Sequence, residues 1–204
     1  MKSIPNYFAY IGIGQVSNQI ESEKLAYDYM LQHAKEINDE TAVKNLQKFD
    51  KYATDFPNLN YIMSVRSSLM NEYGIGFAHE ETISIVDAAK LILFFKGYTL
   101  SEKVKYLKGM QFSQTGLWDY VVNDNLFESS TIFQIPVYIT HGKYDYQVSY
   151  TLAREWFGKI EAPEKEFFTF ENSAHGTIIE EPEKFVQIAR EILLSTHKKV
   201  GTNE

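Results

Sequence analysis

Two residues of this sequence, Asp145 and His175, have the types and positions that acid–base catalysis requires. Asp145 lies in HGKYDYQVS, directly after the apolar run IPVYITHG, and His175 lies in FENSAHG, directly after KEFFTF. Because loops at the carboxyl ends of neighbouring parallel strands gather at one edge of a sheet, we expect the two side chains to meet. The carboxylate would then fix the imidazole tautomer through Nδ1 and leave Nε2 free to take a proton.

Each of the two residues also has an ordinary structural interpretation. An aspartate after a strand commonly forms a turn, and a loop histidine is commonly a hydrogen-bonded structural residue. The catalytic hypothesis therefore depends on Asp145 and His175 as a pair.

The sequence GIGQVS, at the end of the first apolar run, contains half of a dinucleotide-binding motif. The complete motif is G-x-G-x-x-G at the start of a helix, and here Ser17 occupies the third glycine position. We interpret Gly12 and Gly14 as easing the exit from a strand, and no NAD site is predicted.

No metal site or cofactor is predicted elsewhere in the chain. The sequence has no cysteine, which excludes disulfides, cysteine nucleophiles and thiolate metal sites. His33, His79 and His197 have no carboxylates at metal-ligand spacing, so we interpret them as solvated surface residues.

Three short apolar runs predict the β-strands that position the pair: YFAYIGIG, IPVYITHG and KEFFTF. The amphipathic patterns VSYTLAREWFGKI and EEPEKFVQIAREILLSTHKK predict helices after the second and third strands. Strands that alternate with helices are typical of a parallel sheet with right-handed crossovers. The predicted fold class is α/β, with three parallel strands and a mainly helical lid inserted after the first.

The sequence HGKYD after one strand and FENSAHGTIIEEPEKF after the next resemble the closing third of the α/β-hydrolase fold, particularly its proline-iminopeptidase-like branch. The resemblance implies that the strands are the family's sixth to eighth, that the lid follows the sixth, and that Asp145 and His175 are the acid and histidine of a triad. It covers essentially the whole chain but only the second half of the family's usual length. The implied domains are a first core strand (1–19), a lid (20–125) and the C-terminal part of the core (126–204).

The family's nucleophile is a serine in G-x-S-x-G, and no serine of this sequence has that pattern. Ser17 lacks a following glycine, Ser173 lies in NSAH, and Ser67 and Ser68 lie in a helical segment. The family's oxyanion-hole loop is absent as well. We therefore expect the chain to retain the acid and the histidine of the triad and to be inactive by itself.

Composition limits the partners of the chain. A formal net charge of −7 over 204 residues argues against nucleic acid and against an anionic membrane surface. The N-terminal MKSIPNYFAY lacks the apolar run of a secretory signal, and LILFF is too short to cross a bilayer. We expect a cytoplasmic protein that acts on a small molecule if it is active.

The first strand is expected to mediate self-association. If it is the edge of a three-stranded sheet, Tyr7 to Ile13 present unpaired backbone groups and apolar side chains, and exposed edges recruit other strands. The sequence therefore predicts a homo-oligomer with this strand at or near its interface.

Three functional interpretations stay open. The chain is part of a serine hydrolase for a small ester, amide or N-terminal residue, or a non-catalytic remnant or binding module, or one half of an active site assembled in trans. Two further residues have alternative roles. His141 could line the pocket or simply end its strand, and Trp118 could face a substrate, although core packing is the preferred interpretation.

Overall fold

A computed structural model of the chain describes residues 7–80, 90 and 92–201. Its three strands are β1 (Tyr10–Ile13), β2 (Val137–Gly142) and β3 (Lys165–Phe170). They form one parallel sheet in the order β1-β2-β3. The predicted α/β class, the three parallel strands and their order along the chain are therefore confirmed.

The chain between β1 and β2 is mainly helical. Its elements are α1 (Gln19–Glu36), α2 (Glu40–Leu46), α3 (Leu59–Tyr61), a π-helix (Ile62–Arg66), α4 (Ser67–Glu72), α5 (Leu100–Asn123) and α6 (Leu126–Ser129). The side chain of Asp39 caps α2 by accepting a hydrogen bond from the Ala42 amide. The pattern ETISIVDAAKLILFFKG predicts a further helix over 81–97, most of which lies outside the described residues. The domain boundaries inferred from the sequence stay predictions.

Helix α5 is longer than the pattern TLSEKVKYLKGM indicates. Thr99 and Glu102 form a capping box at its first turn, where each side chain accepts a hydrogen bond from the other residue's amide. The helix then continues to Asn123, although only Val122 of its residues is buried. Trp118 packs half-buried and donates its indole N–H to the Pro57 carbonyl at 2.9 Å, which agrees with a packing role.

Three helices complete the chain: α7 (Tyr150–Lys159), α8 (Thr177–Glu180) and α9 (Pro182–Gly201). Pro182 begins α9, where its missing N–H costs little. Helix α7 covers one face of the sheet, because Trp156 packs on Val137 and Ile139 of β2. Helix α9 covers the other face, through contacts of Ile188 and Ile192 with Tyr138. Strand β2 is buried along its whole length.

The composition of YFAYIGIG is typical of a buried strand, whereas only part of that run is buried, as its predicted position at the edge of the sheet allows. Strand β1 is only four residues long, and Tyr7 and Phe8 before it are 63% and 61% exposed. Within the strand, Ile11 and Ile13 are 39% and 41% exposed. The physical reason is that α9 covers Tyr138 of β2, whereas the described helices leave the adjoining surface of β1 open.

Candidate active site

The loops after β2 and β3 approach each other closely at the carboxyl edge of the sheet. The Tyr144 amide donates a hydrogen bond to the Ser173 carbonyl at 3.1 Å, which joins the two loops. A Cβ atom at Gly142 would lie 1.8 Å from the carbonyl oxygen of Ala174, so only glycine fits there. The loop after β2 then turns, with the Asp145 amide donating to the Gly142 carbonyl at 3.2 Å.

These loops bring the predicted pair into contact. Nδ1 of His175 lies 2.9 Å from Oδ2 of Asp145, within hydrogen-bonding distance. The Asp145 side chain is fully buried, whereas the His175 side chain is 26% exposed. Within the described part of the chain, Nε2 of His175 makes no hydrogen bond. The arrangement leaves Nε2 available to accept a proton, and the catalytic role of the two residues stays a prediction.

The Asp145 carboxylate is surrounded by hydrogen-bond donors. Its Oδ1 accepts from the Val148 amide at 3.0 Å, and its Oδ2 lies 3.2 Å from Nε2 of His141. Burial alone would raise the pKa of Asp145, but the contacts with His141 and His175 outweigh it and hold that pKa below its ordinary value. Asp145 is therefore a carboxylate at neutral pH, as an acid that orients an imidazole must be.

Gly14, at the end of β1, makes room for the imidazole. Its φ of +55° is one that residues with a side chain rarely adopt. A Cβ atom there would also lie 2.7 Å from Cε1 and 2.8 Å from Nδ1 of His175. The glycine at this strand exit thus allows the close approach of the His175 ring.

No serine of the described chain is hydrogen-bonded to Nε2 of His175. The hydroxyl of Ser173 instead donates to Glu181 at 2.7 Å, and that of Ser67 donates to the Ile62 carbonyl at 2.9 Å. The described residues likewise contain no group of three or more histidine, aspartate or glutamate side chains arranged to hold a metal ion. No described helix is long and apolar enough to cross a bilayer.

Comparison with solved structures shows which fold this chain shares. The crystal structure of a proline iminopeptidase from Mycobacterium smegmatis superposes with a TM-score of 0.52 at 10% identity, over 95% of this chain and 58% of that one. The chain carries the C-terminal part of an α/β-hydrolase fold. An esterase from Exiguobacterium antarcticum superposes less well, with a TM-score of 0.43 at 14% identity over 94% of this chain and 59% of the esterase.

A curated relative is similar in sequence as well. The protein named Probable aminopeptidase YbaC, from Bacillus subtilis (strain 168), is 29% identical over 185 residues. The match covers 88% of this chain and 55% of the relative, so the chain spans about half the length of that protein. No family model matches the chain.

The helical insert of this chain is tied to the loop that carries His175. The His175 amide donates to the Gly76 carbonyl at 3.1 Å, and the Gly176 amide donates to the Phe77 carbonyl at 2.7 Å. The Glu180 carboxylate accepts from the amides of both His79 and Ala174. The insert therefore fixes the backbone on both sides of the His175 side chain.

A buried ion pair ties the insert to the loop that carries Asp145. Arg66 contacts both carboxylate oxygens of Glu23, at 2.7 Å and 3.0 Å. Arg66 and Gln19 both donate to the Gln147 carbonyl, at 3.2 Å and 3.1 Å. The Ser149 amide donates to the Ser22 hydroxyl at 3.1 Å. Both loops of the site thus rest on the helical insert of the hydrolase fold.

A cavity of about 250 Å³ lies between α1 and the loop after β2. Its lining includes Tyr29, Lys143, Asp145 and Tyr150 but not His175. A larger cavity of about 360 Å³ lies inside the insert against Trp118, and neither Asp145 nor His175 lines it.

The pattern of the sequence did not reveal two parts of the site. His141 was interpreted as the end of a strand or a pocket-lining residue, whereas it is fully buried beside Asp145. Glu23 lies in ESEKLAYDYM, a pattern typical of a helix with charges between its apolar positions, whereas it is buried with Ala26, Met30 and Ala34. Its helical spacing to those residues was the available signal.

Proposed function

We propose that the chain supplies the acid and the base of a hydrolase site. Asp145 orients His175 and stabilises the imidazolium, and His175 acts as general base and then as general acid. The observation that carries the proposal is the 2.9 Å contact between Nδ1 of His175 and Oδ2 of Asp145, which leaves Nε2 with no hydrogen bond in the described part of the chain.

The substrate class proposed is a small ester, an amide or an N-terminal residue. Support comes from the similar proteins, one of which is named a probable aminopeptidase and the other a proline iminopeptidase. The attacking hydroxyl is proposed to come from outside these 204 residues, because no serine in the sequence has the G-x-S-x-G pattern. The chain by itself is then expected to be inactive.

A complementation experiment tests this proposal. The part of YbaC that this chain does not match would be co-expressed with this chain and assayed against nitrophenyl esters and aminoacyl anilides. We expect hydrolysis only when both polypeptides are present, lost in His175→Ala and kept in the control His33→Ala. Hydrolysis by the mixture that survives His175→Ala, or the lack of any association and activity, would contradict the proposal.

A serine-directed fluorophosphonate probe tests the second half of the proposal. We expect no labelling of the purified chain, because no activated serine is available. Labelling of the wild-type chain that is lost in His175→Ala would instead reveal a nucleophile within these 204 residues.

The second candidate function is a non-catalytic module that binds a second copy of itself. The observation that favours it is the exposure of Ile11 and Ile13 on β1, which has a strand partner on only one side in the described part of the chain. The proposed contact places β1 of one copy beside β1 of the other.

Light scattering at micromolar concentration tests self-association. We expect a dimer or larger species in the wild type and mainly monomer in Ile11→Lys, because a buried interface rejects an unpaired charge. Met63→Lys is the matched control, since Met63 is an exposed apolar residue on the insert. A monomeric wild type would contradict this second candidate function.

A further inference from the structure

A second histidine, His141, faces the carboxylate of the candidate pair. The His141 side chain is completely buried near the end of β2. Its Nε2 lies 2.8 Å from the Val148 carbonyl oxygen and 3.2 Å from Oδ2 of Asp145. Its Nδ1 is buried and has no hydrogen-bond partner among the described residues. The proposed reaction, as stated for Asp145 and His175, makes no use of this ring.

These contacts determine which ring nitrogen of His141 carries the hydrogen. Both neighbours of Nε2 are acceptors, so Nε2 must carry it. A hydrogen on Nδ1 would be a buried donor without an acceptor, which is costly. The contacts therefore favour the tautomer of His141 with its hydrogen on Nε2.

The groups packed around His141 leave Asp145 as its charged neighbour. Phe167 of β3 stacks on the ring with centroids 6.1 Å apart, and Tyr150 of α7 meets it edge-on at 6.0 Å. The guanidinium of Arg154 lies over the Phe167 ring rather than against the imidazole. His175 approaches from the loop after β3 and contacts the same Asp145 oxygen.

Val148 closes a small network around the carboxylate. Its amide donates to Oδ1 of Asp145, and its carbonyl accepts from Nε2 of His141. Oδ2 of Asp145 thus lies between the N–H groups of two imidazoles, while Oδ1 is held by the backbone. Three N–H groups therefore surround one carboxylate that is cut off from water.

We propose that His141 is a positioning residue for Asp145. The N–H at Nε2 of His141 helps to keep the buried carboxylate ionised and turned toward His175, so that Nδ1 of His175 keeps its hydrogen and Nε2 stays free. The inference rests on the observed contacts rather than on hydrolysis. The proposed role of His141 can be wrong while the proposed hydrolase function is right. The proposed function can likewise be wrong while the role of His141 is right.

Nuclear magnetic resonance on the wild-type chain gives the first test. Ring nitrogen spectra of His141 at neutral pH should show its hydrogen on Nε2. The carboxyl carbon of Asp145, assigned by its loss in Asp145→Asn, should titrate below the ordinary aspartate pKa of about 3.9. Hydrogen on Nδ1 of His141 rather than on Nε2 overturns the proposal.

Substitutions at His141 give the second test. His141→Phe keeps a ring of similar size but removes the N–H, and we expect the Asp145 pKa to rise by about one unit or more. His141→Gln keeps a donor near the Nε2 position and should restore most of the wild-type value. The control His33→Phe removes a histidine that stacks on Tyr29, and it should leave the Asp145 titration unchanged.

The remaining outcomes are also decisive. A folded His141→Phe chain with the wild-type Asp145 pKa shows that His141 only fills space, and the proposal is then wrong. The same conclusion follows if His141→Gln and His141→Phe raise that pKa equally. If His141→Phe does not fold, the wild-type tautomer and the Asp145 titration decide the question.

Discussion

Strands β1 and β2 are neighbours in one sheet, but their surroundings differ. Tyr138 of β2 is 2% exposed, whereas Ile11, its register partner on β1, is 39% exposed. At the carboxyl end of β2, the Asp145 carboxylate is buried among three N–H groups. The loops that carry Asp145 and His175 are therefore supported by other parts of this chain. The surface beside β1, in contrast, is not covered by the described residues.

The largest effect is expected from breaking the buried ion pair of Arg66 and Glu23, which supports the loop after β2. Arg66→Met removes the ion-pair partner of Glu23. Burial raises the pKa of Glu23, and the contact with Arg66 opposes that effect. Removing one member of a buried pair leaves an uncompensated charge, and we expect a loss of about 3–5 kcal/mol in the free energy of unfolding. Urea denaturation at neutral pH measures it.

The matched control is a double substitution in the same place. Glu23→Gln combined with Arg66→Met removes both charges, so it should recover a large part of the stability lost in Arg66→Met. Equal losses in the single and the double variant would show that the pair is not what supports the loop after β2.

Replacing one isoleucine in each strand by alanine compares the packing of β1 with that of β2. Ile139 of β2 is fully buried, and Ile139→Ala should cost about 2–5 kcal/mol because it leaves a cavity. Ile11→Ala should cost less than about 1 kcal/mol in the monomer, because much of that side chain already contacts solvent. Urea unfolding of both variants at low protein concentration gives the two values.

A large loss in Ile11→Ala would contradict the contrast between the strands, since it would mean that the face of β1 is packed in solution. Comparison at high protein concentration separates monomer stability from association. At high protein concentration, a second copy bound at β1 would increase the loss in unfolding free energy caused by Ile11→Ala.

The sequence predicted the parts of this structure that depend on local pattern and on strand direction. Parallel strands with equivalent exits were sufficient to predict the contact of Asp145 with His175. The position of His141 beside Asp145 could not be predicted, because the pattern does not tell which strand face meets which loop side chain. The exposure of Ile11 agrees with the edge position predicted for its strand, although an apolar strand has the same pattern whether or not another element covers it.

A smaller effect than that of Arg66→Met or Ile139→Ala tests whether the buried carboxylate stabilises the fold as an anion. The folded-state pKa of Asp145 is lowered, so its contribution is present above the unfolded pKa of about 3.9 and lost as pH falls through the folded value. We expect Asp145→Asn to cost about 1–3 kcal/mol near pH 7 and progressively less below about pH 4. Glu23 titrates with the opposite sign, but it is present in both chains and cancels in the difference. Urea unfolding at several pH values measures this difference, with Asp119→Asn on the outer part of α5 as a control. A cost that stays constant from neutral to acid pH would show that the anionic form of Asp145 contributes nothing to the folded state.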